Sequence, residues 1–167
     1  DMYGKCGKMD EMLKMLPDPA VRPQQCWNTL ISGYARYGYF KEAEDTFKHM
    51  VSMGRKPDYV TFVTLLSACS HAGLVDKGID YYNSMSSVFG VSPGIKHCVC
   101  IVDVLGRLGR FTEAEKFIED MPVLTNDLIW RSLLSSSRTH KNLDTGRKAA
   151  KKLLELDPFD DSAYVLL

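Results

Sequence analysis

The feature that most constrains the fold is a segment that the chain repeats. Residues 27–50 read WNTLISGYARYGYFKEAEDTFKHM, and similar segments stand at 62–85 (FVTLLSACSHAGLVDKGIDYYNSM) and 98–121 (CVCIVDVLGRLGRFTEAEKFIEDM). A period of this length is typical of architectures in which each repeat is one small supersecondary unit. No catalytic motif recurs with the period, so the repetition itself is the main indication of function.

One glycine in each unit serves as the anchor for the alignment. The anchors are Gly7, Gly38, Gly73 and Gly109, at intervals of 31, 35 and 36 residues, and the next equivalent position is Lys141. Apolar residues stand eleven, eight and seven positions before the anchors. A small residue stands five positions after most anchors, and a larger residue stands nine positions after them. These offsets are typical of two amphipathic helices joined by a tight turn. A glycine at that turn suits the left-handed conformation that ends a helix.

A single hairpin of two such helices cannot bury both of its faces. Neighbouring hairpins must therefore stack on one another, and the sequence predicts an all-α protein built as an α-solenoid of stacked antiparallel helix–turn–helix repeats. Prolines at 57, 93, 122 and 158 stand where the second helices are expected to end.

Composition gives only weak restrictions on function. Lys plus Arg and Asp plus Glu both number 21, so the chain has no basic excess of the kind that phosphate binding usually produces. Five cysteines without a C-x-x-C pair favour reduced thiols over a disulfide framework. No apolar run approaches the roughly 18 residues of a membrane span. The sequence begins at Asp1 without a signal-peptide layout, so we expect any targeting segment to lie outside this chain.

We find no catalytic or metal-binding constellation and predict neither an enzyme nor a cofactor. His97, Cys98 and Cys100 suggest a metal site, but residues two apart on a helix diverge and no second ligand pair follows. Cys98 also aligns with core positions, which favours a packed thiol. The segment GRLGRF at 106–111 lacks the strand and the Lys-Ser/Thr of a phosphate-binding loop.

Two families of helical hairpin share this period. The tetratricopeptide pattern W-x-x-L-G-x-x-Y needs a small residue where this chain has large ones. The segment WNTLISGYARYGYFKEAEDTFKHMVSMGRKPD (27–58) instead resembles the pentatricopeptide repeat, down to its terminal Pro-Asp. The resemblance covers essentially the whole chain and implies a right-handed α-solenoid. The large residues at the discriminating position are Ile31, Leu66, Val102 and Leu134.

The unequal unit lengths resemble the plant PLS subclass, in which P, L and S motifs alternate and an E-type motif follows the last S motif. On this resemblance the chain divides into the end of an S-type motif (1–23), a P-type motif (24–58), an L-type motif (59–94), an S-type motif (95–126), an E-type motif (127–160) and the truncated start of a second E-type motif (161–167).

The resemblance implies binding of single-stranded organellar RNA by a factor for C-to-U editing in plants. In that family the fifth and last residues of each motif read the base. In the P-type unit these residues are Asn28 and Asp58, a pair that implies uracil with cytosine second; the plain structural alternative is that both merely cap helices. The later pairs are Val63 with Gly94 and Val99 with Asn126, which identify a base edge poorly. Arg131 with Asp160 lies outside the family's usual combinations.

A cluster of cations near the end of the chain has two interpretations. It is either a solvated helix face or a patch that contacts phosphates or a protein partner. The candidate contact residues are Arg138, Lys141, Arg147, Lys148, Lys151 and Lys152, with Asp144 the one acidic residue between them.

The resemblance also implies protein partners. These are MORF/RIP-type editing factors and a deaminase, supplied in cis outside this chain or in trans, and no membrane is expected. An alternative function is therefore a docking module for editing partners with little direct RNA readout. The resemblance favours a mitochondrial location, with the chloroplast as the alternative.

Overall fold

The computed structural model describes residues 18–158, and within that range the fold is all-α. The predicted Gly7 anchor, most of the predicted 1–23 unit, Asp160 and the predicted 161–167 unit lie outside the described residues. None of the described helices is long and apolar enough to cross a membrane. The eight helices of residues 18–158 are α1 Gln24–Arg36, α2 Phe40–Ser52, α3 Tyr59–Ala72, α4 Val75–Ser87, α5 Ile95–Arg107, α6 Phe111–Asp120, α7 Asp127–Thr139 and α8 Leu143–Leu156.

The helices form four hairpins whose turns lie at the predicted anchors. Gly38, Gly73 and Gly109 have φ angles of 79°, 69° and 71°, in the left-handed region that ends a helix. Lys141 takes the same conformation with φ of 55°, although it carries a side chain. The turn geometry is thus retained in the hairpin that lacks the glycine, and the strain falls on a lysine.

The hairpins stack through their first helices. α1 packs on α3, α3 on α5 and α5 on α7, while each second helix packs on its own first helix. Leu65 and Leu66 of α3 are 0% and 1% exposed, and Ile101 and Val102 of α5 are equally buried. Burial of such side chains contributes about 1.5–3 kcal/mol each. This arrangement confirms the predicted α-solenoid.

Small residues in the second helices allow close packing, as their positions predicted. Ala43 and Ala114 are completely buried. A Cβ on Gly78 would lie 3.5 Å from Cys69 Cβ and 3.6 Å from Ile101 Cδ1, which is ordinary van der Waals contact. Neighbouring helices therefore approach closely at this position in each of these units.

Ion pairs between consecutive second helices also join the units. Glu44 of α2 accepts hydrogen bonds from Lys77 Nζ at 2.9 Å and from Tyr81 Oη at 2.7 Å on α4. Partial burial alone would raise the pKa of the Glu44 carboxyl, but these donors hold it below its ordinary value. Glu115 of α6, one of its counterparts along the array, accepts from Thr145 Oγ1 at 3.0 Å on α8.

We predict that Lys141→Gly stabilises the chain. A side chain in the left-handed region costs about 1–2 kcal/mol, and glycine has a larger entropy in the unfolded state, so the expected net gain is about 1 kcal/mol. Urea unfolding with an unchanged m-value measures it. Gly73→Lys is the matched reverse change, because it places a lysine in the same left-handed turn. The nearest heavy atom to its new Cβ would be 3.9 Å away, so the variant adds backbone strain without a steric clash. Equal stability of both variants and the parent chain would contradict the strain at Lys141.

Candidate nucleic-acid interface

The fifth and last residues of each predicted motif lie at fixed places in the hairpins. α1, α3, α5 and α7 begin at the first residue of each predicted motif. The fifth residue therefore lies one turn into a first helix, and the last residue is the N-cap of the next one. The four N-cap residues are Pro23, Asp58, Gly94 and Asn126.

Asn28 and Asp58, the fifth and last residues of one predicted motif, contact each other directly. Asn28 Nδ2 donates to Asp58 Oδ1 at 3.2 Å, with Oδ2 at 3.4 Å. Asn28 does not cap α1, because Pro23 is the N-cap there, so that part of the capping alternative is wrong. Asp58 does cap α3 by accepting from Thr61 N–H at 2.8 Å. The Asp58 carboxylate thus caps α3 and also binds the side-chain amide of Asn28 on α1.

The Asp58 carboxylate is ionised at neutral pH. Its partial burial tends to raise the pKa of this group, but hydrogen bonds from Thr61, including its backbone N–H, and from Asn28 lower it below the ordinary value. An ionised carboxylate only accepts hydrogen bonds. Asp58 therefore presents an acceptor beside an amide that can both donate and accept.

This pair lines an open groove between α1 and α3. The groove has a volume of about 740 Å³, and Gln25, Thr29 and Val60 also line it. Val60, whose side chain is 53% exposed, presents an apolar surface next to Asp58. A further hollow of about 300 Å³ shares Ser32, Arg36 and Thr64 with the groove and contains Val63. The predicted readers Asn28, Asp58 and Val63 therefore line adjoining hollows on the side formed by first helices.

Basic side chains at the far end of the first helices were not identified from the sequence. Arg36 lines both hollows, and His71 lines the second. Arg107 holds the same position in α5, where it forms an ion pair with Asp103 at 2.9 Å. All three are the thirteenth residue of a first helix, and this recurrence at the period was the signal that could have identified them.

The second predicted pair contributes no polar side chain. Val63 is half-buried, and a Cβ at Gly94 would lie 2.8 Å from the ring of Tyr59, so the aromatic ring fills the place of a side chain. His97 supports this corner, since Nδ1 accepts from Gly94 N–H and Nε2 donates to the Tyr59 carbonyl, both at 3.0 Å. This predicted pair therefore offers only apolar contact.

The third predicted pair is also weak. Val99 is half-buried and packs on the core. Asn126 is the N-cap of α7, but its side chain makes no capping hydrogen bond, and its Oδ1 is buried without a partner among residues 18–158. Arg131 of α7 forms an ion pair with Asp127 at 3.2 Å. Only the Asn28–Asp58 pair combines two polar side chains in an open groove in the described part of the chain.

Cys98 is a packed thiol, as predicted. It is completely buried, and its Sγ lies 3.4 Å from Tyr82 Oη. Burial raises the pKa of the Cys98 thiol and, to about 12, that of Cys100. Both ring nitrogens of His97 are engaged by the backbone, and residues 18–158 contain no group of three or more potential metal ligands.

The predicted cationic patch is partly neutralised by neighbouring acidic residues. Lys148 pairs with Glu115 and Lys152 with Glu155, at 2.8 and 2.9 Å. Both pairs are exposed to solvent and therefore weak, so the two lysines remain available to other partners. The other four cations of the patch are exposed and form no ion pair with another described residue; these are Arg138, Lys141, Arg147 and Lys151. Contact with phosphates or partners stays a prediction for all six residues.

Fold and groove together define an α-solenoid repeat protein with a polar groove along its first helices. A sequence model described as the PPR repeat family matches residues 24–71, and one described as the PPR repeat matches 60–87 and 97–124. Together they span more than half of the chain. The chain belongs to the pentatricopeptide repeat family.

Known proteins of this family are similar to this chain over most or all of its length. A mitochondrial pentatricopeptide repeat-containing protein of Arabidopsis thaliana is 44% identical over 167 residues, 100% of this chain and 22% of that protein. The crystal structure of the pentatricopeptide repeat protein PPR10 in complex with an 18-nucleotide psaJ RNA element has a TM-score of 0.71 at 21% identity, covering 78% of this chain and 19% of that one. The PPR domain of Arabidopsis thaliana protein-only RNase P 1, in complex with tRNA, has a TM-score of 0.71 at 20% identity. This similarity covers 99% of this chain and 91% of that domain's chain. The two structures establish the fold, and the chain spans about a fifth of the mitochondrial relative.

We predict that acid destabilises the chain through His97. Burial lowers the pKa of this imidazole below its ordinary value of 6.5, and the hydrogen bonds to Tyr59 and Gly94 only partly oppose the effect. The unfolded chain therefore takes up a proton first, so stability is full above pH 6.5 and declines as the pH falls toward the lowered pKa. Urea unfolding at several pH values measures this. His97→Gln keeps a donor and an acceptor without titrating, and an equally steep decline in that variant would refute the assignment.

Proposed function

We propose that this chain is part of a sequence-specific scaffold for single-stranded RNA in a plant organelle C-to-U editing factor. Each repeat would offer one base a place along the first helices, and the array would position a target cytidine for a deaminase. The observation that carries the proposal is the hydrogen-bonded Asn28–Asp58 pair in an open groove. We assign the chain itself no catalytic residue.

The chemistry of the pair suits a base edge. Asn28 uses one N–H toward Asp58 and one carbonyl lone pair toward Thr61, which leaves one donor and one acceptor. A base edge with an adjacent acceptor and donor, such as uracil O4 and N3–H, can pair with the free amide edge. The family resemblance favours uracil, with cytosine second. Val60 supplies an exposed apolar surface on which the base can rest.

The basic side chains of the groove suit the sugar–phosphate backbone. Arg36 and His71 recur at the period of the hairpins, and a single strand that places one base in each unit passes one phosphate per unit. Neutralisation of phosphates makes the affinity dependent on salt. The chain needs no overall positive charge for this role, because Arg36 lies where the strand would pass.

The proposed affinity of this chain alone is modest. Stacked bases contribute roughly 1–3 kcal/mol each, so three units give about 3–9 kcal/mol before the cost of ordering the strand. One unit of the three combines two polar readers. We therefore propose that the chain specifies about one nucleotide and contributes to a longer array, as its small share of the mitochondrial relative's length suggests.

The similar proteins support RNA binding and an organellar location as parts of the proposal. PPR10 is seen with an RNA element and the RNase P 1 domain with tRNA, while the similar Arabidopsis protein is named as mitochondrial. The P-, L-, S- and E-type boundaries, the MORF/RIP-type factors and the deaminase are part of the same proposal. They rest on the resemblance of the sequence to the plant PLS subclass.

Titration by NMR tests RNA binding directly, because it detects weak complexes. The probes are short adenosine oligomers with one central U, C or G. Shifts confined to the backbone amides of residues near Asn28, Asp58 and Arg36 would support the proposed groove. No shifts with any RNA, together with shifts on adding a MORF/RIP-type factor, would favour the docking alternative.

We predict that Asn28→Thr changes base preference. The shorter side chain leaves room for a purine while Asp58 remains an acceptor, so the preferred central base should change from U to G, as the resembled code implies. The measurement is the ratio of dissociation constants for the U and G oligomers. The expected change is about tenfold, the discrimination that roughly 1.4 kcal/mol supplies.

Two further variants serve as controls for this experiment. Arg36→Gln removes a phosphate contact and should weaken all oligomers alike, with a smaller salt dependence. Asn83→Thr makes the same chemical change on α4, outside the groove, and should change nothing. An unchanged U-to-G ratio in Asn28→Thr, with binding intact, would mean that Asn28 does not read the base.

A further inference from the structure

The geometry points to Thr61 as a positioning residue that fixes the orientation of the Asn28 amide and thereby its choice between uracil and cytosine. Thr61 is the third residue of α3, in the unit after the one that contains Asn28. The inference rests on the proposed function, because it concerns which base edge the proposed reader accepts.

Thr61 is completely buried and its hydroxyl is fully occupied. Oγ1 accepts from Asp58 N–H at 3.1 Å and from Gln24 Nε2 at 3.0 Å. A hydroxyl has two lone pairs and one hydrogen. With both lone pairs engaged, Thr61 can act toward Asn28 only as a donor.

The hydrogen of Thr61 faces two acceptors, and Asn28 is the better one. Asn28 Oδ1 lies at 2.6 Å and Asp58 Oδ1 at 2.9 Å from Thr61 Oγ1. Asp58 Oδ1 already accepts from Thr61 N–H and from Asn28 Nδ2. Asn28 Oδ1 receives no other hydrogen bond from a described residue. The hydroxyl hydrogen therefore goes to Asn28.

Asn28 is thus held between a group that only accepts and a group that only donates. The carboxylate of Asp58 requires the NH₂ end of the amide, and Thr61 requires its carbonyl end. A flipped amide would lose both hydrogen bonds and place an oxygen against the carboxylate. The free donor and acceptor of Asn28 therefore have fixed positions in the groove.

A fixed amide discriminates between pyrimidines that a freely flipping amide would treat alike. Uracil presents N3–H as a donor beside O4 as an acceptor, and cytosine presents N3 as an acceptor beside N4–H as a donor. The two bases have nearly the same shape, so hydrogen-bond direction is what distinguishes them. Loss of the fixed orientation should therefore reduce the preference for U over C more than it reduces binding of either base.

The other units support this assignment by contrast. The residue equivalent to Thr61 is His97 in α5 and Ile129 in α7, both completely buried. His97 binds Gly94 N–H and the Tyr59 carbonyl, so it has no hydrogen left for the fifth residue of the preceding unit, which is Val63. Within residues 18–158, a side chain at this position that donates to the fifth residue of the preceding unit accompanies the one pair of polar readers.

The test compares Thr61→Val, which removes only the hydroxyl, with Thr61→Ser, which retains it. Binding of the central-U and central-C oligomers gives the U-over-C ratio. In Thr61→Val the ratio should fall about three- to tenfold, the range that one hydrogen bond spans, and Thr61→Ser should restore it. Thr145→Val is the matched control, because Thr145 is also a buried threonine whose N–H binds an N-cap side chain, and it should keep the ratio.

A second measurement needs no RNA. The NMR order parameter of the Asn28 side-chain amide should be high in the parent chain and in Thr61→Ser, and low in Thr61→Val. If the parent chain binds no oligomer, the proposed function fails while this measurement still tests the orientation. If Thr61→Val does not fold, Gln24→Leu frees one lone pair of the hydroxyl and should lower both the ratio and the order parameter. Retention of both values in Thr61→Val, or in Gln24→Leu when that variant replaces it, would overturn the inference.

Discussion

The stacking of each first helix against the first helices of neighbouring units is the interaction on which the rest of the structure depends. Leu66 and Val102 are almost completely buried in that stack, and a hairpin alone would leave such side chains in water. Stacking also sets the spacing of the fifth residues, because each first helix lies against the next in the same register. The packing that stabilises the chain is therefore the same packing that aligns Asn28, Val63 and Val99 along one side of the array.

The sequence was sufficient to predict the features that repeat. The period, the buried positions and the left-handed turns all follow from local constraints that act again in each unit, and Lys141 shows that the turn persists even without its glycine. The sequence was less reliable where one unit departs from the others. Trp130, at a position that is almost fully buried in the other units, is only half-buried, while Ile129 beside it is completely buried.

Contacts between units could not be predicted from residue spacing. The hydrogen bond from Thr61 to Asn28 joins side chains 33 residues apart, and the ion pair of Lys148 with Glu115 joins another two at the same separation. Their formation depends on how far each helix is rotated about its axis, which a single sequence does not specify. Pairing of fifth and last residues came from the family resemblance, and capping by Asp58 was one interpretation of the sequence, whereas the hydrogen bond that joins Asp58 to Asn28 is visible only in the structure.

Variation in unit length leaves the groove unchanged because it occurs elsewhere in the hairpin. The first helices have 13, 14, 13 and 13 residues. The short third unit instead has a second helix of 10 residues, where α2 and α4 have 13. Since the groove is lined by first helices, a shorter second helix can change the length of a unit without altering the spacing of the fifth residues. An array of unequal repeats can thus keep the same spacing of its fifth residues, and its length differences are free to shape the opposite face.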